Sequence, residues 1–355
     1  MQLGADVQLN SLMSSASTID IYTSSTSALD TRYPDGENSM ILAGIYLTHL
    51  YKFSEKTNLT DGIRLGYSSL QSSMIDTSFF NFPFNTIQQK SPLYSGSLGI
   101  VHNASEKMKM SLLVSSAFRV PNIDDLAKIF ESTPGSIIVP NDNIKPEKSL
   151  TYEIGFSRII GNRARWENSL YYTSFFDAIQ TAPFNYKGSD TIQYGGEASR
   201  VLAAQNIGKA YIYGFNSALK TASYGPWSML ASANYTYGRV HSDEGEIPLD
   251  HIPPFMAKLG VNFELDRLFV ETYAMYNGAK KLDDYSQSGE DNLNYATPEG
   301  MPAWFTLNTR LGYSFNNNLT LQTGVENLLD TEYRVFASGI NAPGRNFYIS
   351  IKFNH

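Results

Sequence analysis

Apolar and aromatic residues fall on every second position along most of this 355-residue chain. A period of two is the mark of a strand whose two faces meet different surroundings. In one run Phe305, Leu307, Thr309, Leu311, Tyr313 and Phe315 share a face, while Thr306, Asn308, Arg310, Gly312 and Ser314 share the other. The pattern returns at Leu319, Leu321, Thr323 and Val325, and at Phe347, Ile349, Ile351 and Phe353. It is also present at Trp227, Met229, Ala231, Ala233, Tyr235 and Tyr237, and at Met108, Met110, Leu112 and Val114. The second faces are small and polar, as in Ser228, Ser232, Asn234 and Thr236. The runs reach about ten residues or more, against about five or six for an ordinary soluble strand. Ten residues at about 3.3 Å rise, tilted by about 45°, cross an outer-membrane hydrocarbon layer. The expected fold class is all-β, an antiparallel transmembrane β-barrel. A soluble β-sandwich or propeller is the competing architecture, and it calls for shorter strands or a repeat signature.

The alternation yields about fourteen strands, centred near Val7, Ile45, Leu65, Leu98, Leu112, Ile154, Leu170, Tyr213, Ala231, Leu259, Val270, Thr309, Leu321 and Ile349. Their connections alternate in length. Tight turns lie at Ser54-Glu55-Lys56, Ser105-Glu106, Gly161-Asn162, Tyr224-Gly225, Asp266 and Asn316-Asn317-Asn318, all rich in turn formers. The connections around 14–38, 73–91, 119–148, 177–206, 241–254, 281–302 and 330–345 are far longer. Short periplasmic turns and long outer loops are the barrel arrangement. Because the first and last connections are both long, both chain ends are expected on the short-turn side.

Composition narrows the function classes. The chain is 13% aromatic, with 23 Tyr and 20 Phe, which suits the aromatic girdles of a membrane barrel. It has no cysteine, hence no disulfide and no thiolate metal site. Its net charge of −7 disfavours nucleic acid as a partner. No apolar run is long enough for a spanning helix, and the opening MQLGADVQLN lacks the basic and apolar regions of a secretion signal. The expectation is that a signal has been removed or that the chain begins inside a longer one.

Function is sought in the long loops, since a barrel wall mostly supplies rigidity. Asn122 can cap a short helix with Asp124 and Asp125 in its first turn and Ile123, Leu126 and Phe130 at helical spacing. A structural elbow at the barrel mouth is the simpler role for it. The run His241-Ser242-Asp243-Glu244-Gly245-Glu246, continuing to Asp250 and His251, gathers carboxylates and imidazoles. Its spacing fits no metal-ligand template, and acidic loops usually serve solvation, so no metal site is assigned. Residues 241–254 and 281–302 together hold Asp243, Glu244, Glu246, Asp250, Asp283, Asp284, Glu290 and Asp291. Such a field disfavours a strongly anionic ligand, within a screening length of about 8 Å. Tyr285 and Tyr295 offer stacking area. The candidate ligand-binding residues are therefore His241, Asp243, Glu244, His251, Tyr285 and Tyr295, set against the plainer reading that these acids only solvate the loops. No Gly-x-Ser-x-Gly elbow, His-Glu-x-x-His or phosphate-cradling loop is present, so no catalytic residue is assigned.

Three segments resemble TonB-dependent outer-membrane receptors, most nearly those of the Bacteroidota type. Phe118-Arg119-Val120-Pro121-Asn122, followed by Asn141-Asp142-Asn143-Ile144-Lys145-Pro146-Glu147, is similar to the family's paired Phe-Arg-x-Pro and Asn-Pro-x-Leu-Lys-Pro-Glu motifs, with Asp142 and Ile144 replacing Pro and Leu. Asn206-Ile207-Gly208-Lys209-Ala210 with Tyr213-Gly214, and Ile252-Pro253-Pro254, resemble mid-barrel pieces. The third segment, Val325-Glu326-Asn327-Leu328-Leu329-Asp330-Thr331-Glu332-Tyr333-Arg334 with Gly344-Arg345-Asn346, is the most specific.

The resemblance implies energised import of a scarce ligand, such as an iron siderophore, haem or a cobalamin-like cofactor, through a barrel of roughly 22 strands plugged by an N-terminal domain. It places the protein in the cell outer membrane, with lipid, the TonB complex and a small-molecule or metal-chelate ligand as partners and no cofactor of its own. Neither plug nor coupling box is found in this sequence. Residues 1–355 are accordingly expected to be the barrel domain of an N-terminally truncated receptor. Fourteen strands would close to a diameter of roughly 28 Å, against roughly 44 Å for twenty-two. The alternatives are a complete, passive 14-strand channel and an outer-membrane barrel enzyme. Haem receptors of this kind place a histidine between the paired motifs. Residues 122–140 hold none, which ranks haem below an iron chelate, with His241 and His251 as the remaining axial candidates.

Overall fold

The computed structural model describes residues 1–29, 35–74, 85–133, 135–242, 245–286 and 289–353. A single antiparallel sheet forms the wall, its strands pairing in chain order. They are β1 (Gln2–Ser14), β2 (Gly36–Lys52), β3 (Thr57–Met74), β4 (Thr86–Ser105), β5 (Met108–Arg119), β6 (Glu147–Ile160), β7 (Ala164–Phe176), β8 (Lys209–Thr221), β9 (Trp227–Ser242), β10 (Met256–Leu265), β11 (Leu268–Asn277), β12 (Trp304–Ser314), β13 (Leu319–Glu326) and β14 (Asn346–Phe353). Every expected centre falls inside one of them. Gln2 pairs with Thr48 near the end of β2, and Phe353 pairs with Leu319 at the start of β13, so both termini lie at the short-turn end.

The two faces of the wall differ as the alternation requires. Ile45 pairs with Leu65, and Ile154 with Leu170, and all four side chains are more than half exposed. Rows of aligned aliphatic residues open to the surroundings are the face a barrel turns to lipid. Inward-facing Asn38, Ser68, Ser72 and Ser91 are buried instead, and Ser72 donates to the Asn38 side chain at 2.7 Å. Lower on the same face Arg64 makes a bidentate pair with Asp6 at 2.5 and 2.7 Å, laid across Gly44. A Cβ at Gly44 would come within 2.5 Å of the guanidinium, so a larger residue there would make the Arg64 side chain shift.

The wall has two edges. β1 pairs only with β2 and β14 only with β13, and among the described residues no ladder joins β1 to β14. Val7 and Ile349 on these edges are 66% and 72% exposed.

At the long-loop end the chain folds back over the inner face. Helix α1 (Ile123–Ala127) starts at Asn122, whose side chain accepts from the Asp125 amide while Asp125 accepts from the Asn122 amide, a reciprocal cap. Arg119 holds the same Asp125 carboxylate at 2.6 Å. Ile123, Leu126 and Ala127 pack with Leu70 and Ile87 of β3 and β4, seating the elbow inside the sheet. The helix stops at Ala127. Phe130, expected to continue its apolar face, instead begins the strand Phe130–Thr133.

That strand belongs to a second sheet in what the sequence reads as loop, with Ser136–Ile138, Ile179–Pro183, Thr191–Tyr194 and Glu197–Asn206. The link between its two halves is parallel, Arg200 to Leu202 alongside Ser136 to Ile138, and joins residues more than sixty positions apart. Ile129, Ile137, Val139, Tyr186, Val201 and Ala203 form its core.

The motif residues act as staples between these loops. The Asn141 side chain donates to the Ala204 carbonyl at 2.8 Å, Asn206 bridges to Lys145 and Asp177, and Glu147 accepts from the Ile179 amide at 2.8 Å. Pro121 is fully buried beside the elbow. In the last loop Asn327, at φ +49°, accepts from the Thr331 amide and donates to its carbonyl. Arg345 caps Leu328 through its side chain and Asp330 through its amide, and a Cβ at Gly344 would meet Asp330 at 2.7 Å.

Candidate functional site

Three further loops, between β9 and β10, β11 and β12, and β13 and β14, form a second group at the same end. Little regular structure holds them: Gly245–Pro248 extends from β9 as a hairpin, and two short 3-10 turns, Leu282–Asp284 and Leu293–Tyr295, lie in the next loop. Polar contacts do the fastening. Asp291 is buried, and its two oxygens accept separately from the His251 and Ser286 amides, each at 2.8 Å. Lys280 is buried over the Phe336 ring and donates to the Ile252 carbonyl at 2.8 Å. Burial drives its pKa below the usual lysine range, with Asp284 and Asp291 opposing the shift. Arg239 forms an ion pair with Asp284 and lies 4.2 Å over the Tyr237 ring.

The residues selected from sequence separate into two places. His241 sits on the hairpin with Glu246 3.4 Å away and the Tyr211 ring at 5.4 Å. His251, in a left-handed conformation, meets Asp291 at 3.3 Å and Glu290 at 3.6 Å. Asp291 thereby joins His251 to the loop carrying Tyr285 and Tyr295, whereas His241 stays apart. Asp243 and Glu244 lie outside the described residues. Two of the acids expected to set the field over these loops face cations: Asp284 faces Arg239, and Glu290 faces Lys128 at 3.6 Å. Lys128 follows α1, so this last pair ties the first group of loops to the second. Among the described residues no group of three or more histidines and carboxylates is arranged to hold a metal ion.

Tyr285 and Tyr295 line a cavity of about 360 Å³ between the β11–β12 and β13–β14 loops. Tyr285 is buried edge-on to Phe336 at 5.2 Å, and burial raises its pKa, with Asp291 adding to the effect and Arg334 opposing it. Tyr295 is 59% exposed, with the Arg334 guanidinium 5.3 Å over its ring. Trp304 and Tyr333 face each other at 4.3 Å in the same wall. Trp304, Phe336, Arg239 and Lys280 carry no sequence signal of a site. Trp304 at a strand end reads as girdle, and Arg239 within β9 and Lys280 beside Lys281 read as ordinary solvated charges.

A family model described as TonB dependent receptor-like, beta-barrel matches residues 2–328. Hemoglobin-binding protein A of Haemophilus influenzae is 28% identical over 284 residues, covering 69% of this chain and 27% of that protein. Ferric enterobactin receptor PirA of Pseudomonas aeruginosa is 23% identical over 279 residues, covering 73% of this chain and 36% of its own length. Among solved structures, the copper transporter OprC superposes with a TM-score of 0.77 at 20% identity, over 99% of this chain and 53% of OprC. The ferric-catecholate import receptor Fiu from E. coli K12 gives 0.66 at 16% identity, over 99% and 52%. These superpositions establish the fold. The chain thus spans 27% to 36% of these two curated relatives.

Proposed function

This chain belongs to the TonB-dependent receptor-like β-barrel family, and from that premise we propose that it forms the wall and loop mouth of an outer-membrane importer for a metal chelate. The observation that carries the reading is the pairing of a lipid-type outer face with long loops folded over the inner face, in a wall that has two unpaired edges. In a bilayer an unpaired backbone group costs several kcal/mol. Further strands beside β1 and β14 would satisfy these edges and widen the ring enough for a plug, as in a barrel of roughly 22 strands. The energy-coupling partner would be the TonB complex, reached through that plug. Proteins of this family are receptors and transporters rather than enzymes.

The ligand mouth is placed at the second group of loops, with Tyr285 and Tyr295 in the cavity wall and His251 behind Asp291. An iron chelate is preferred to haem because residues 122–140, between the paired motifs, hold no histidine. Planar-bilayer recording on the purified full-length gene product tests the class. A plugged importer passes almost no steady current, whereas large steady currents would establish the passive channel instead. Uptake of a labelled ferric chelate by cells with and without the TonB complex then tests coupling.

A further inference from the structure

We propose that the outward face of the wall carries a lipid site where β4 parts from β5, and that its occupant is a phosphorylated, acylated glycolipid of the outer leaflet. The ladder between these strands runs from Ser105 and Met108 at the short-turn end only as far as Ser97 and Ser115. Beyond that point β4 continues to Thr86 against β3, and β5 continues to Arg119 against β6. One side chain closes the base of the fork: the Ser116 hydroxyl accepts from the Gly96 amide at 2.9 Å and donates to the Gly96 carbonyl at 3.2 Å. Farther toward the long loops Tyr94 of β4 meets Lys148 of β6, whose ammonium donates to the Tyr94 hydroxyl at 3.3 Å and lies 5.2 Å from the ring centre.

The fork leaves two hollows that share Tyr94. The lower, of about 460 Å³, has Gly96 and Ser116 as its floor and Tyr94, Leu98, Val114 and Leu150 around it. Tyr94 pairs with Leu65, and Leu150 lies two rows from Ile154, so this furrow opens on the lipid-facing side and suits an acyl chain. The upper, of about 190 Å³, is bounded by Phe118, Pro146, Lys145, Lys148 and Asp177. Phe118, Lys148, Phe176 and Lys209 pair in turn across β5 to β8 and form one outward row at the rim. With neighbouring strands about 4.8 Å apart, Lys148 and Lys209 stand roughly 10 Å from each other. The Lys145 backbone is pinned by the Asn206 side chain at 2.7 and 3.0 Å. A lysine at this height lays its stem on the apolar wall and holds its ammonium among the headgroups, where a charge on the lipid face costs little. Among the described residues none of the three lysines forms an ion pair, and Asp177 is the one carboxylate of the lining. A positive rim above an apolar furrow, in a chain of net charge −7, selects an acylated lipid with an anionic head. The separation of Lys148 and Lys209 suits a head bearing two phosphates, and the long-loop end faces the outer leaflet, where the anionic lipid is a phosphorylated glucosamine one.

The site goes beyond import and rests only on the barrel standing in an outer membrane with its long loops outward. Native mass spectrometry of the delipidated full-length gene product in detergent, titrated with bis-phosphorylated lipid A or with dioleoyl phosphatidylglycerol, tests it. Saturable lipid A binding is expected, with phosphatidylglycerol weaker by about fivefold, the worth of one lysine contact. Lys148→Gln combined with Lys209→Gln changes two exposed side chains and should weaken lipid A binding by about twentyfold. Tyr94 is 62% exposed, and Tyr94→Ala should weaken binding by about threefold through loss of the ring that holds Lys148. Lys52→Gln removes the same charge at the short-turn end and should leave binding unchanged. Phosphatidylglycerol bound as tightly as lipid A, wild-type affinity in the double lysine variant, or an equal loss in Lys52→Gln would overturn the proposal. Selective lipid A binding in a protein that conducts large steady currents would keep this site while removing the importer reading.

Discussion

The two groups of loops at the mouth solve the same problem by different means. Both must fold long connections over the inner face of one wall. The first, around α1 and the five-stranded sheet, buries Leu126, Ile129, Ile137, Val139 and Val201 in two apolar clusters. The second has few buried aliphatic residues and is fastened by single polar contacts at Asp291, Lys280 and Arg239, around an aromatic-lined cavity. Apolar burial is non-directional and fills space, whereas fixed hydrogen bonds can hold loops apart and leave room between them. The first group is therefore packed solid, and the second keeps a cavity of about 360 Å³ between its loops.

The sharpest way to break this contrast is Leu126→Ala, which removes a fully buried side chain from the first group. The expected cost is about 2–5 kcal/mol, felt locally. Limited proteolysis should cut near residues 120–147 and 177–206 while the wall keeps its heat-modifiable migration in gels. A loss of the wall as well would mean that elbow and wall fold as one unit.

Asp291→Ala is the counterpart in the second group and is expected to cost about 1–3 kcal/mol, because two amides lose their acceptor. Hydrogen exchange should accelerate at His251 and Ser286 and leave Val139 and Val201 unchanged. Asn122→Ala removes the cap of α1 and should cost about 1 kcal/mol, read as faster exchange at Asp125. The His241 and Glu246 pair is exposed, and alanine at either position should change stability by no more than about 1 kcal/mol.

The groups should also respond differently to alkali. In the second, the lowered pKa of Lys280 means that the unfolded chain holds a proton the folded one has released, so stability rises with pH from that lowered value toward the ordinary 10.5. In the first, burial pushes Tyr186 up to about 12 from 10.0, so its contribution is intact below 10 and is lost as pH rises through about 12. The buried Tyr285 gives the second group a loss of the same sign above 10. As pH rises from the lowered Lys280 value, exchange protection should increase at His251, whereas at Val139 it should only fall, above 10.

The wall was legible from sequence because its information is local. A period of two repeats every few residues, as in Met108, Met110, Leu112 and Val114, and an outer face in contact with lipid allows no relaxation of the pattern. The cap of α1 was legible for the same reason, since Asn122 and Asp125 are three residues apart and satisfy one another. The five-stranded loop sheet was not. Its strands are as short as three residues, too brief for a period to show, and its decisive pairing joins Arg200 to Ser136 across two separate loops. The candidate site was half legible. Tyr285 and Tyr295 could be picked out as aromatic residues in a long loop, but only the tertiary structure sets them beside Trp304, Tyr333 and Phe336. Likewise His241 and His251 look equivalent in sequence, and the fold separates them because Asp291 captures one loop and the β9 hairpin carries the other. Periodicity is written into neighbouring residues and fixes which face meets lipid. A cavity depends on which distant loops meet, and that is decided by directional contacts between residues the sequence keeps far apart.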